Sequence, residues 1–151
     1  MKLMQRLAFS AAMALAAYGT SAAEKKVQLK DLPPAVQKTV QEETKKAKLV
    51  GLAQEEEDGK TVYEAETKID GRTRDLIIDA AGKVIEVEEE VAIGSIPAGA
   101  RAAIEKATAG NKIERVESVT KGGTTDYEAS FTRNGKKSEV VVTSDGTIKK
   151  Q

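Results

Sequence analysis

The chain has 151 residues, with 24 basic and 24 acidic side chains and with neither histidine nor cysteine. That length is enough for one domain of ordinary size or for two very small ones. Without His and Cys, the chain has no Ser-His-Asp or Cys-His nucleophile pair, and no zinc, haem or iron–sulfur site that depends on imidazole or thiolate ligands. General acid–base catalysis would therefore need a carboxylate or a lysine whose pKa is strongly shifted.

The first 23 residues have the composition of a secretory signal peptide. Lys2 and Arg6 precede an apolar run over 7–17, whose length of about eleven residues suits a signal and falls short of the roughly 20 that span a bilayer. The small residues Ser21-Ala22-Ala23 follow and predict cleavage after Ala23. We therefore expect a periplasmic or secreted protein with no membrane span after cleavage; the alternative is an uncleaved membrane anchor.

Cleavage would remove Lys2 and Arg6 and leave two more acidic than basic side chains. Such a balance gives no positively charged patch for nucleic acid. We expect the partner to be another exported or envelope protein, and we expect no cofactor.

Residues that lie 64 positions apart match over most of the remaining chain without a gap. Pro33 corresponds to Pro97, and the segment 59–65 shares Gly, Thr, Tyr, Glu and Ala with 123–129. Two further turn glycines also coincide, Gly71 with Gly135 and Gly82 with Gly146. This register predicts a duplicated small domain, with a signal peptide over 1–23, a first copy over 24–90 and a second copy over 91–151.

Each copy begins with a predicted helix. Asp31 and Ser95 are residue types that favour the N-cap, and a proline follows each of them in the first turn. Apolar residues then recur at helical spacing, including Val36, Val40, Ala100 and Ile104.

Four strands follow each helix. They are predicted near 48–57, 60–69, 72–79 and 83–90 in the first copy, and near 112–120, 124–133, 136–143 and 147–150 in the second. Hairpin dipeptides such as Asp58-Gly59 and Asn134-Gly135 separate them. The predicted fold class is α+β, a tandem repeat of a helix plus a four-stranded antiparallel meander sheet, with two layers in each copy.

Alternation along the strands separates a helix-covered face from an open one. Tyr63 and Ala65, and likewise Tyr127 and Ala129, fall on the covered face, so we interpret both tyrosines as core residues and as equivalent. The open faces would be exposed, mostly acidic and able to bind a basic partner. The predicted partner surface consists of Val62, Glu64, Glu66, Asp75, Ile77, Glu128, Glu139 and Val141.

Several short motifs resemble the PepSY-like family, which is often described as beta-lactamase-inhibitor-like. They are Leu32-Pro33 and Ile96-Pro97, the Gly-x-x-x-Tyr-Glu-Ala segments over 59–65 and 123–129, and the turns over 81–84 and 145–148. The resemblance spans about 32–150 and implies an exported, non-enzymatic domain whose best-understood relatives inhibit or shield hydrolases. It implies no particular binding residues, and the predicted open faces lack the aromatic residues that such inhibitors use.

Three functions stay open at this point. The first is an exported, non-enzymatic binding module, such as an inhibitor or shield of another exported protein, with no catalytic, cofactor-binding or metal-binding residues. The second is a calcium-responsive envelope accessory protein that uses the acidic runs over 55–58 and 86–90; these runs also fit a solvated hairpin tip and connector. The third is a carboxylate-based hydrolase using Glu64 and Glu128.

Overall fold

The computed structural model describes residues 24–149, so the predicted signal peptide and its cleavage site lie outside the described residues. The described strands form one eight-stranded antiparallel sheet in which each strand pairs with the next one in the chain. The strands are β1 Lys25–Lys26, β2 Lys48–Glu57, β3 Lys60–Ile69, β4 Arg72–Asp79, β5 Val84–Glu90, β6 Ile113–Lys121, β7 Thr124–Arg133 and β8 Lys136–Thr143. The helices are α1 Pro34–Glu43 and α2 Ala98–Thr108.

The predicted fold class is wrong, because the strands do not form two separate four-stranded sheets. β5 pairs with β6 from Glu86–Lys121 to Glu90–Glu117, which joins strands from both predicted copies. The numbers of strands also differ, since β1 adds a strand before α1, and Ile148 makes an isolated bridge to Val142 where a full last strand was predicted. Separate sheets would each leave strand edges with unpaired N–H and C=O groups, and the pairing of β5 with β6 satisfies two of those edges.

Both helices begin later than predicted. Their N-caps are Pro33 and Pro97, and neither makes a side-chain capping bond. Asp31 and Ser95, the predicted N-caps, each end a short 3₁₀ segment instead. A residue before proline is held out of the helical region, so the chain stays extended up to and including the N-cap proline.

The helices cover one face of the sheet and bury two apolar clusters. Val36 and Val40 of α1 pack against the first cluster, whose strand members are Tyr63, Ala65, Leu76 and Ile78. Ala100 and Ile104 of α2 pack against the second, whose strand members are Val116, Ala129, Phe131, Val140 and Val142. Tyr63 is buried as predicted, but Tyr127 is only half-buried at the margin of the second cluster, so the two tyrosines are not equivalent.

The first turn of each helix lies directly against a hairpin turn. A Cβ on Gly82 would lie 2.7 Å from the carbonyl oxygen of Ala35 in α1, and a Cβ on Gly99 of α2 would lie 2.7 Å from the carbonyl oxygen of Asp145. These close approaches of backbone to backbone fix the height of each helix above the sheet. Within residues 24–149, no helix is long and apolar enough to cross a membrane.

We predict that Gly99→Ala lowers the melting temperature. In an exposed helix the change from Gly to Ala stabilises by roughly 0.5–1 kcal/mol, but here the new methyl group would meet the backbone of Asp145. Gly94→Ala is the control, since no atom lies within 4 Å of its Cβ position. Thermal unfolding followed by circular dichroism measures both variants. A Gly99→Ala protein that melts at or above the wild-type temperature would contradict the packing described here.

Candidate functional site: the acidic face of the sheet

The sheet face opposite the apolar clusters has rows of acidic side chains. Glu66, Asp75 and Glu88 lie opposite one another on β3, β4 and β5. A second row runs through Glu90, Glu117 and Glu128 on β5, β6 and β7. We define the acidic face by these six residues together with Glu64, Glu86 and Glu139. Like charges that lie directly opposite each other destabilise a sheet, so stability alone does not explain the two rows.

Five of these carboxyl groups are buried. The exposed fraction is 1% for Glu64, 4% for Glu88 and Glu117, 5% for Glu128 and 8% for Glu86. Glutamate is almost never buried to this extent unless it is paired, because the removal of a carboxylate from water is costly. The burial therefore requires cations, hydrogen bonds or protonation to offset it.

Basic side chains offset part of the charge. The Lys121 Nζ atom lies 2.8 Å from a Glu86 carboxylate oxygen and 3.7 Å from one of Glu57 on β2. The Arg115 Nε atom lies 3.3 Å from a carboxylate oxygen of Glu117. Both cations belong to β6, the strand that joins the two halves of the sheet, so they lie where the acids are densest.

Protonation offsets another part. Burial raises the pKa of Glu88 to about 9, with a further contribution from its hydrogen bond to Glu86. Burial and the neighbouring Glu139 and Glu117 raise the pKa of Glu128 to about 7, and burial raises the pKa of Asp75 to about 6. Burial also raises the pKa of Glu117, although the adjacent Arg115 opposes that shift. The face therefore takes up protons in the neutral range of pH.

The structure brings all eight residues of the predicted partner surface to this face, but it does not expose them. Val62, Ile77 and Val141 are 4–5% exposed, and Glu64 and Glu128 are also buried. The remaining three, Glu66, Asp75 and Glu139, are half-buried. The predicted exposure is wrong. Six of the eight residues lie on β3, β4 and β7, which have paired strands on both sides whose side chains shield them, whereas Glu139 and Val141 lie on the edge strand β8. Their role in partner binding stays a prediction.

Three of the buried acids, Glu86, Glu88 and Glu117, are absent from the predicted partner surface. Glu86 and Glu88 belong to an acidic run that also fits a solvated connector, and Glu117 belongs to none of the motifs. The alternation of Glu86, Glu88 and Glu90 was a signal for one strand face. Glu117 joins them only through the pairing of β5 with β6, which no local pattern in the sequence indicates.

The predicted hydrolase pair is not brought together. Glu64 lies on β3 and Glu128 on β7, with β4, β5 and β6 between them. At about 4.8 Å for each strand spacing, the two positions are about 19 Å apart, whereas the two carboxyl groups of a glycosidase lie within about 10 Å. A cavity of about 320 Å³ near the start of β4 is lined by other residues, including Arg72, Arg74 and Glu89.

One group of carboxylates has the spacing of cation ligands. Oxygen atoms of Glu24, Glu64 and Glu66 all lie within 4.8 Å of one another. An all-oxygen ligand set suits a hard cation such as Ca²⁺, which takes 6–8 oxygen ligands, so these three side chains would supply part of a coordination shell. None of these three residues belongs to the acidic runs over 55–58 and 86–90 that the sequence suggested. Glu24 comes from the segment before β1, and Glu64 and Glu66 come from β3.

Comparisons with known proteins give a fold but no family, since no family model and no curated protein matches the sequence. A DUF2874 family protein from Bacteroides ovatus has a TM-score of 0.61 at 19% identity, over 79% of this chain and 85% of that one. A BLIP-like protein from Bacteroides fragilis has a TM-score of 0.57 at 18% identity, over 79% and 84%. A Bacteroides eggerthii protein proposed to be periplasmic has a TM-score of 0.63 at 15% identity, over 78% and 85%.

These similarities concern architecture. The match to a BLIP-like protein agrees with the resemblance to beta-lactamase-inhibitor-like proteins at the level of the fold. Membership of the PepSY-like family and duplication of a single domain stay predictions. The fold alone does not determine what the acidic face binds.

We predict that Arg115→Gln destabilises the protein more at about pH 8 than at about pH 5. The arginine lowers the pKa of Glu117, Glu128 and Asp75, so its removal leaves these carboxylates with less compensation when they are ionised. We expect a loss of about 1–2 kcal/mol at the higher pH, after allowance for partial exposure. At the lower pH, protonation of the acids makes the loss smaller.

Urea unfolding at the two pH values measures this difference. Arg72→Gln is the matched control, because Arg72 is exposed at the start of β4. Equal losses for Arg115→Gln at both pH values would show that Arg115 does not act on the carboxylates.

Proposed function

We propose that this chain is an exported, non-enzymatic binding module whose acidic face binds a basic surface of another exported protein through its half-buried carboxylates. The observation on which the proposal rests is the two rows of directly opposed carboxylates across β3 to β7. Such rows reduce the stability of the sheet. Proteins commonly accept such a loss at a functional site.

The location and the inhibitor-like role rest on further support. The predicted signal peptide favours export, and the fold resembles that of a protein proposed to be periplasmic and that of a BLIP-like protein. As an inhibitor or shield, the module would act by covering the partner's surface and would need no catalytic group. The lack of His and Cys and the separation of Glu64 from Glu128 are in keeping with this role.

The composition of the acidic face predicts modest affinity. Binding energy at interfaces is usually concentrated in Trp, Tyr and Arg, and the chain has no Trp. Tyr63, Phe131 and Tyr127 all belong to the helix-covered clusters. Charge complementarity would therefore supply most of the attraction and make binding sensitive to salt.

The test uses a lysine-rich and arginine-rich peptide, with an uncharged peptide of equal length as reference. We expect the exported protein to bind the basic peptide at low salt and to lose that binding at high salt. The variant Glu66→Gln with Glu139→Gln changes two half-buried residues of the acidic face, and we expect it to bind several-fold more weakly. The control variant, Glu56→Gln with Glu105→Gln, makes the same charge change at exposed positions away from that face. Equal affinities for the two variants would contradict the proposal.

A calcium site is the second candidate function, favoured by the carboxylates of Glu24, Glu64 and Glu66. The same protein is melted with CaCl₂ and with MgCl₂ in place of the peptide. Three results together would replace the binding module by the calcium function: Ca²⁺ raises the melting temperature, Glu24→Gln removes that increase, and the basic peptide does not bind. If the peptide binds and Ca²⁺ leaves the melting temperature unchanged, the first proposal stands.

A further inference from the structure

A short chain of polar contacts crosses the pairing of β5 with β6. Glu86 and Glu88 lie on the same face of β5 and share a side-chain hydrogen bond. The Lys121 Nζ atom of β6 lies 2.8 Å from a Glu86 carboxylate oxygen. Ionised carboxylates only accept hydrogen bonds, so the bond between Glu86 and Glu88 exists only while one of the two holds a proton.

The surroundings determine which of the two is protonated. The ammonium group of Lys121 can only donate hydrogen bonds, so the Glu86 oxygen that faces it is an acceptor. Glu88 is more deeply buried, with 4% exposure against 8% for Glu86, and burial favours the neutral form. Glu88 is therefore the O–H donor, and the Glu86 carboxylate accepts from both Glu88 and Lys121.

The charged groups around Glu88 act in the same direction. On its own strand the nearest is Glu86, and Glu90 follows it. The neighbouring strands present Asp75 from β4, Glu117, Arg115 and Lys121 from β6, and Glu128 and Asp126 from β7. Asp126 is paired with Lys149, and Arg115 is held against Glu117. Acids still outnumber the cations around Glu88. A second negative charge at Glu88 would meet net repulsion.

We propose that Glu88 holds a structural proton at neutral pH, and that loss of this proton in mildly alkaline solution adds a negative charge to the buried acids on both sides of the β5–β6 pairing and so weakens the joint between the two halves of the sheet. This pH-dependent stability is a property of the fold itself, and it does not depend on the proposed partner.

The direction of the pH dependence follows from the two states of Glu88. Burial raises the pKa of Glu88 from the ordinary value of 4.5 to about 9, so over this range the folded chain keeps a proton that the unfolded chain has lost. Stability is complete below the lower value and falls as the pH rises towards the higher one, by up to tenfold in the folding constant for each pH unit. Asp75 and Glu128 also contribute stability that is lost as the pH rises, but this loss begins to level off near their pKa values in the folded chain, about 6 and about 7.

The contribution of Glu88 is therefore measured above neutral pH, beyond the pKa values of Asp75 and Glu128, and the variant Glu88→Gln separates it from those of the other acids. Urea unfolding of the exported protein is measured from about pH 7 to about pH 9, and we expect the wild-type folding constant to fall across that range. Glu88→Gln keeps an N–H donor for Glu86 and cannot ionise, so we expect it to lose most of this fall and to be the more stable protein at the alkaline end. Glu105→Gln, at an exposed position of α2, should keep the wild-type fall. Parallel curves for wild type and Glu88→Gln would overturn the proposal.

A direct measurement needs no variant. The ¹³C shift of the Glu88 side-chain carboxyl, followed by NMR in the wild-type protein, should titrate with a midpoint above pH 7. A midpoint near the ordinary value of about 4.3 would overturn the proposal whether or not Glu88→Gln folds. Because no partner is present, failure of peptide binding and failure of this titration are distinguishable.

Discussion

The ladder between β5 and β6 joins residues that are far apart in the chain into one sheet. Its five pairs, from Glu86–Lys121 to Glu90–Glu117, leave no free edge between the first four long strands and the last three. Because the ladder sets the register, it also places the acids of β5 opposite those of β6 and β7. The fold, the acidic face and the proton on Glu88 all depend on this one pairing.

The two faces of the sheet have opposite effects on the stability of the fold. On the covered face, α1 and α2 bury apolar clusters around Leu76 and Val142, and this burial supplies the main stabilisation. On the acidic face, like charges lie side by side and are moderated by Lys121, by Arg115 and by protonation. The fold tolerates the repulsion on the acidic face only because the apolar face is well packed.

Local sequence patterns predicted the individual elements well. The predicted strands 48–57, 60–69, 72–79, 124–133 and 136–143 coincide with β2, β3, β4, β7 and β8, because Asp-Gly and Asn-Gly turns mark their ends and alternation marks their faces. The face assignment of Tyr63 and Glu64 was also correct, since alternation within a strand needs no tertiary information.

The long-range features were not predictable in this way. Whether β5 meets β6 depends on which edges the helices leave free, and no turn connects those strands directly. Glu117 meets the acids of β5 only through that pairing. Ile77 and Val141 are also buried on the same face, so the predicted exposure of the open faces was wrong. The helix starts were displaced for a local reason, the restriction that Pro33 and Pro97 place on the preceding residue.

Native-state hydrogen exchange of the backbone amides in β5 and β6 tests the central claim most directly. If the pairing is as described, the hydrogen-bonded amides of this ladder exchange as slowly as those between β3 and β4, and all of them exchange through one cooperative unfolding of the sheet. If amides at the β5–β6 junction exchange rapidly while the ladders on either side stay protected, the two halves are separate sheets and the account is contradicted.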